Sequence, residues 1–271
     1  MTDRELVLER EVLVRASAAT VFRYFTDPAR TSTWFGAGSS IDARPGGAVI
    51  AQFAEGSRAE GEVLDVEPGR RIVFTWGFAG ANSPLPPGAS TIYVELEPVA
   101  DGTLVRLRHY LPTEEMVQAY RSGWRHHLSH LATKAARDDH AGAADVLDRW
   151  YEAWRGRVRD DRRDIVATVC TSDVELVDDL VTVAGVDEVV AHIDNAALHL
   201  PGIEIRRDGP VQTVADHATC AWVLTKDGDE LGRGRTVATL ALDGRLRRVI
   251  GFWDVDPDEV SRRVHRAAGG G

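Results

Sequence analysis

The chain is poor in sulfur, with two cysteines and two methionines in 271 residues. Cys170 and Cys220 lie far apart and form no metal or redox spacing. They read as buried thiols of a reducing cytoplasm, with a disulfide between them as the open alternative. No run of about 18 apolar residues occurs, so no membrane span is expected. Met1-Thr-Asp-Arg-Glu5 is charged with no apolar stretch behind it, so no secretory signal is expected and the expected location is cytoplasmic. Basic residues are in deficit: 32 Lys and Arg against 42 Asp and Glu give a net charge of −10. A nucleic-acid surface needs clustered Lys and Arg, so that partner is excluded. The sequence also lacks a P-loop, a dinucleotide fingerprint, a Gly-x-Ser-x-Gly elbow and any Cys/His metal pattern. No cofactor and no metal are therefore expected. Gly232-Arg-Gly234-Arg falls inside an expected strand, opens no helix and is not a phosphate loop.

What is present is ordinary globular composition, 44% hydrophobic and 27% charged, at a length that suggests two domains. In residues 5–14, Leu6, Leu8, Val12 and Val14 share one parity, the mark of a strand. Ser17 is a good helix N-cap, and Val21, Phe22 and Phe25 fall on one face behind it. Asp27-Pro28 stops that helix, and a second short one carries Trp34 and Phe35 to Gly36. Strands then follow between turn signals, at 40–44, 48–54, 59–67, 71–78, 90–99 and 103–111, with a Pro/Gly/Ser loop at 80–89 that could act as a lid. Thr113 caps a long helix whose stripe includes Met116, Tyr120, Trp124, Leu128 and Leu131. A curved antiparallel sheet gripping one helix is the simplest way to bury all these faces.

Residues 137–142 break the stripe and read as a linker. Helices at 143–157 and 161–169, a strand at 173–178 and a helix at 186–199 come next. Long strands at 203–214, 217–226, 231–242 and 245–254 follow, then a short polar helix to Arg266. Asp227-Gly228 and Asp243-Gly244 are the hairpin turns. This half also makes an open cup. Strand 217–226 is apolar on both parities, so one face should line the cup and the other pack on the partner domain or on a second chain, as in a homodimer through this sheet.

Residues 5–137 resemble the START-type (SRPBCC) superfamily in its activator-of-heat-shock-protein-90-ATPase-like branch. The resemblance rests on Ser17-Ala-Ala-Thr-Val-Phe22, Thr26-Asp-Pro-Ala-Arg30 with Trp34, and Gly123-Trp124 with Leu128 and Leu131. Residues 143–255 resemble the SnoaL-like branch of the nuclear transport factor 2-like fold, through the aromatic first helix, Ala184-Gly185-Val-Asp-Glu-Val-Val190, Leu200-Pro-Gly202, Asp243-Gly-Arg-Leu246 and Phe252-Trp-Asp254. The two resemblances imply an α+β chain: a helix-grip sheet with a long C-terminal helix over 1–138, an α+β cone (cystatin-like) over 142–256, and a helix with a tail over 257–271. They also imply a cup for a small hydrophobic molecule in each half. The second group includes polyketide cyclases, ketosteroid isomerase and epoxide hydrolases.

Asp178 shares parity with Val174 and Leu176, so its carboxylate should point with the apolar side and could serve as a general base. It matches the base position of ketosteroid isomerase, although Trp150 stands where that enzyme's tyrosine would be. The plainer alternative is that Asp178 and Asp179 cap a turn. His199 and Asp254 could form an acid–base pair across the same cup, as the SnoaL-like resemblance implies, with His192 an equally placed rival for the histidine. Asp254 has the parity of Ile250 and Phe252, which is read as inward. In the first half His109 shares parity with Val105, Leu107 and Leu111 and could line the cup beside Trp124. His126 and His130 are spaced like a zinc pair but lack a third ligand, and read as a solvated helix face. Trp34, Phe53, Trp76 and Trp124 in the first half, and Trp150, Trp154, Trp222 and Trp253 in the second, are candidate ligand walls, since flat ligands need aromatic surfaces. The expected function is binding of a small hydrophobic or aromatic metabolite. Any catalysis would be cofactor-free acid–base chemistry of cyclase, isomerase or hydratase type, by Asp178, His199 and Asp254. A non-catalytic ligand sensor or a chaperone-associated interaction module is the alternative.

Overall fold

The computed structural model describes residues 6–53, 56–155 and 159–268, apart from the side chains of 159–160 and 263–268. The expected starts and ends of elements at residues 5, 54 and 156–157, and the glycine tail at 269–271, lie outside the described residues. The chain divides between Asp139 and His140 into two compact units.

The first unit begins with β1 (Leu6–Val14), whose buried side is the parity of Leu8 and Val14. Helix α1 (Ala18–Thr26) follows, with the Ser17 hydroxyl accepting from the Thr20 amide. Asp27 ends α1 and caps α2 (Pro28–Trp34) by accepting from the Ala29 amide at 2.9 Å, while Pro28 supplies a helical φ where no amide is needed. The sheet is completed by β2 (Ser40–Ile41), β3 (Ala48–Gln52), β4 (Arg58–Glu67), β5 (Arg71–Phe78), β6 (Ser90–Val99) and β7 (Gly102–Leu111). Its order is β1-β7-β6-β5-β4-β3-β2, with every neighbour antiparallel. Helix α3 (Glu114–Asp139) lies on it through Val117, Trp124, Leu128, Leu131 and Ala135.

The break expected at 137–142 is shorter than that, because α3 continues to Asp139. The carboxylate of Asp139 accepts from the Ser17 amide at 2.7 Å and the Thr20 hydroxyl at 2.5 Å. It thereby ties the last turn of α3 to the first turn of α1, where orphan amides need an acceptor.

The second unit opens with α4 (Ala143–Arg155) and α5 (Arg159–Val169). Then come β8 (Cys170–Val177), β9 (Thr182–Ala184), α6 (Val186–His199), β10 (Ile203–Val214), β11 (His217–Lys226), β12 (Asp229–Leu240), β13 (Leu246–Trp253) and α7 (Pro257–Ala268). The sheet order is β10-β11-β12-β13-β8-β9. All pairs are antiparallel except β13 with β8, which run parallel. Strand β9 has three residues, too few to leave a periodic trace in the sequence. Cys170 and Cys220 are buried free thiols, so the disulfide alternative is not formed.

Strand β12 shows why Gly232 and Gly234 are not a phosphate loop. They lie on its buried parity with Thr236 and Ala238. A Cβ on Gly234 would stand 2.0 Å from the Phe252 carbonyl oxygen and 2.4 Å from the Trp222 ring. The glycine is what lets the Trp222 indole approach β12 so closely. Gly234→Ala is expected to cost about 1–3 kcal/mol in urea denaturation. Gly142→Ala, where an added Cβ meets nothing within 4 Å, should stay near neutral. Equal stability of both variants would contradict this packing.

Candidate functional site

The inner face of the second sheet, with α4 and α6, lines an open cavity. Helix α4 contributes Trp150, Tyr151 and Trp154, and α6 contributes His192 and Ala196. The sheet adds Ile203, Ile205, Trp222, Leu224 and Thr236. Val249, Gly251 and Trp253 of β13 and Leu176 of β8 complete the floor. Asp178 and Leu180, in the turn after β8, stand with them. All four second-half tryptophans proposed from the sequence therefore line this cavity.

Asp178 does two things at once. Its Oδ1 accepts from the amides of Leu180 and Val181 at 2.8 and 2.9 Å, and its own amide donates to the Val181 carbonyl at 2.9 Å. That is the turn cap the plainer reading described. The side chain nevertheless lines the cavity, and Oδ2 takes no hydrogen bond among the described residues. A Cβ on Gly251 would lie 3.3 Å from Asp178 Cβ, so the glycine leaves the carboxylate its space.

His192 is the histidine of this cavity. Its ring stands edge-on to Trp154, with centroids 5.8 Å apart and planes at 80°. Burial lowers its pKa below the ordinary 6.5, and the nearby charge of Asp178 opposes that shift. At neutral pH the imidazole is thus neutral and can accept a proton.

His199 and Asp254 do not join Asp178. His199 is the last residue of α6 and is exposed. Val189, Val190 and Ile193 define the buried arc of the helix, and His192 sits at its edge. Seven residues further, a side chain falls about 20° short of two full turns and passes beyond that edge. Asp254 is also exposed. The pairing of β13 slips between Leu246 and Arg248, so the inward parity runs through Val249, Gly251 and Trp253. Phe252, 53% exposed, and Asp254 face outward, opposite to the sequence reading.

Two further polar groups were missed. The Tyr151 hydroxyl and Thr236 Oγ1 share a 2.7 Å hydrogen bond on the cavity wall, and Cys220 Sγ lies 3.6 Å from the same hydroxyl. Burial raises the Tyr151 pKa far above 10, so the phenol stays protonated and can donate. Its position directly after Trp150 in an aromatic stripe made it read as core.

In the first unit the candidate wall is packed against itself. Trp34, Trp76 and Trp124 are each at most 4% exposed. Phe35 lies between them, with centroids 4.7 Å from Trp34, 5.3 Å from Trp76 and 5.8 Å from Trp124. Phe53 meets Trp76 edge-on at 6.2 Å. The 80–89 loop is held down rather than free: Leu85 is buried, and its carbonyl accepts from the Phe78 amide at 2.7 Å.

His109 is wholly buried in this cluster. Trp124 Nε1 donates to its Nδ1 at 3.1 Å, so the proton must sit on Nε2. Nε2 then donates to Ser90 Oγ at 2.9 Å, and that hydroxyl donates to the Trp76 carbonyl at 2.9 Å. Every member of the chain is satisfied only with a neutral imidazole. Burial accordingly pushes the His109 pKa down to about 3. Among the described residues no group of three or more His, Cys, Asp or Glu could hold a metal ion.

A seven-stranded antiparallel sheet closed by a long C-terminal helix is the helix-grip arrangement, and the second unit is an α+β cone. Residues 15–135 match the family model described as Activator of Hsp90 ATPase homolog 1-like protein. No curated protein matches the chain. Among solved structures it is similar to a candidate isomerase of the SnoaL-like family from Agrobacterium tumefaciens, at 26% identity over 44% of this chain and 99% of that one, with a TM-score of 0.40. It is also similar to the Mll3558 protein from Rhizobium loti, at 29% identity over 48% and 96% of the two chains and a TM-score of 0.41. A third is the Aha1 dimer from Colwellia psychrerythraea, at 21% identity over 47% and 93% and a TM-score of 0.39.

The His109 chain makes a direct prediction. Unfolded histidine binds a proton below about pH 6.5. Native His109 does so only near pH 3. Its contribution to stability is thus full above pH 6.5 and lost as pH falls from there toward 3, with a slope approaching about 1.4 kcal/mol per pH unit. Ring resonances of His109 followed by NMR should show no proton uptake down to about pH 4. A midpoint near 6.5 would rule out the bonded neutral ring.

Proposed function

We propose that the protein binds a small hydrophobic or aromatic metabolite in the cavity of the second unit. The observation that carries this reading is one cavity walled by four tryptophans into which a carboxylate, an imidazole and a hydroxyl pair converge. Apolar surface supplies affinity there, and a few polar groups supply orientation. In this reading each unit is a domain, 1–138 and 142–256, with 257–271 appended, and the second is a SnoaL-like cone. A homodimer through the outer face of its sheet, where Phe252 is exposed, is the proposed assembly.

The same groups support cofactor-free acid–base chemistry of cyclase, isomerase or hydratase type. Asp178 Oδ2 would take a proton from the ligand, neutral His192 would be the exchange partner, and the protonated Tyr151 would donate to an oxygen that gains charge. His192 takes the role first given to His199, and Asp254 has none. The second reading is a non-catalytic sensor, favoured by the engagement of Asp178 Oδ1 with two turn amides, which would serve structure alone. The first unit, with its rings packed on one another, would then be the part that meets a protein partner, in keeping with the cochaperone-type family its residues match.

Three variants separate these readings. Ala196→Phe fills the cavity from α6 and should abolish ligand-induced tryptophan fluorescence changes while the far-ultraviolet circular dichroism stays unchanged. Asp178→Asn keeps the turn acceptor. It should lower turnover of a ligand identified by native mass spectrometry about 10²–10⁴-fold, with neutral aromatic ligands still bound. His192→Gln should flatten the acid side of the pH–rate profile. Unaltered ligand responses in Ala196→Phe would place binding elsewhere. Full turnover in Asp178→Asn would remove the catalytic role.

A further inference from the structure

Resting on the reading that this cavity is the binding site, we infer that its ligand carries a positive charge: an apolar amine or quaternary ammonium held by the tryptophans with Asp178 as counter-ion. The tryptophans that line the cavity form two near-perpendicular pairs. Trp222 and Trp253 meet at 80° with centroids 4.8 Å apart, and Trp150 and Trp154 at 76° with centroids 6.0 Å apart. His192 stands at 80° to Trp154 and extends the second pair. Perpendicular rings offer π-faces in more than one direction, which suits a compact cation, since the negative ring face attracts positive charge.

The charge balance of the cavity points the same way. Asp178 is the sole side chain of formal charge among the described residues that line it, and no Lys or Arg is among them. An anionic ligand would meet the carboxylate with no cation to offset it. A neutral hydrocarbon would strip water from Oδ2 and leave it without a partner, which is costly for a carboxylate. A cationic head pairs with Oδ2 and loses its own hydration to aromatic faces that partly replace it. Of the three ligand classes, the cation alone pairs with the one formal charge of the lining.

Two probes differing by one atom test the inference: phenyltrimethylammonium and its uncharged isostere tert-butylbenzene, titrated into the full chain by tryptophan fluorescence. Wild type should bind the cation at least about tenfold more tightly. Asp178→Asn should erase that preference while leaving tert-butylbenzene affinity unchanged, and Asp179→Asn, its exposed neighbour, should keep it. Ala196→Phe should abolish binding of both. Equal or tighter binding of tert-butylbenzene, or a cation preference untouched by Asp178→Asn, overturns the inference and leaves the cavity reading standing. Failure of both probes overturns both. The wild-type comparison decides by itself should Asp178→Asn not fold.

Discussion

A concave sheet face has to be covered, and in both units the covering is aromatic. The difference lies in whether the space between the rings is filled. In the first unit Phe35 stacks on Trp34 and Trp124 while Phe53 meets Phe35 and Trp76 edge-on, and together the rings occupy the space between sheet and α3. In the second unit Trp150 with Trp154, and Trp222 with Trp253, meet near 80° and stand as walls. Rings that fill the space between them make a core, whereas rings around an unfilled space line a cavity. The candidate chemistry of this protein follows from that distinction.

The polar groups obey the same logic. His109 is surrounded by donors and acceptors of its own protein, and each of them is satisfied by one tautomer. Neither nitrogen of the His109 ring is left over for a ligand, so the network reads as structure. Asp178 is half engaged, with one oxygen holding a turn and the other without a hydrogen bond among the described residues, on a side chain that lines the cavity. The Tyr151–Thr236 pair likewise lies on the cavity wall. Partial satisfaction at a cavity surface is what a ligand completes.

Much of this was legible in the sequence, and the limits have physical causes. In strand β1 and in the segment from Val174 to Asp178 one parity carries the buried residues, Leu8 and Val14 in the first and Val174 and Leu176 in the second, so the inward side could be read directly. Ser17 and Asp27-Pro28 mark helix ends by chemistry that acts within three residues. Asp254 was read with the wrong parity, because a register slip between Leu246 and Arg248 leaves no trace in one strand's own sequence. His192 and His199 could not be separated by spacing, since seven residues nearly restore a helical face, and only the position of the buried arc distinguishes them. Tyr151 was hidden among aromatic neighbours whose periodicity fits a core equally well. The first-unit tryptophans carried the same signal as those of the second, because composition does not record whether the space between rings is filled.

The central claim is that the ligand site lies in the second unit rather than beneath α3 of the first. A crystal structure of protein purified from its own host, with its co-purified small molecule retained, tests it most directly. The account predicts ligand density bounded by Trp154, Trp222 and Trp253 with an atom in hydrogen-bond or ion-pair reach of Asp178. Density between the first sheet and α3, with the second cavity unfilled, would contradict it.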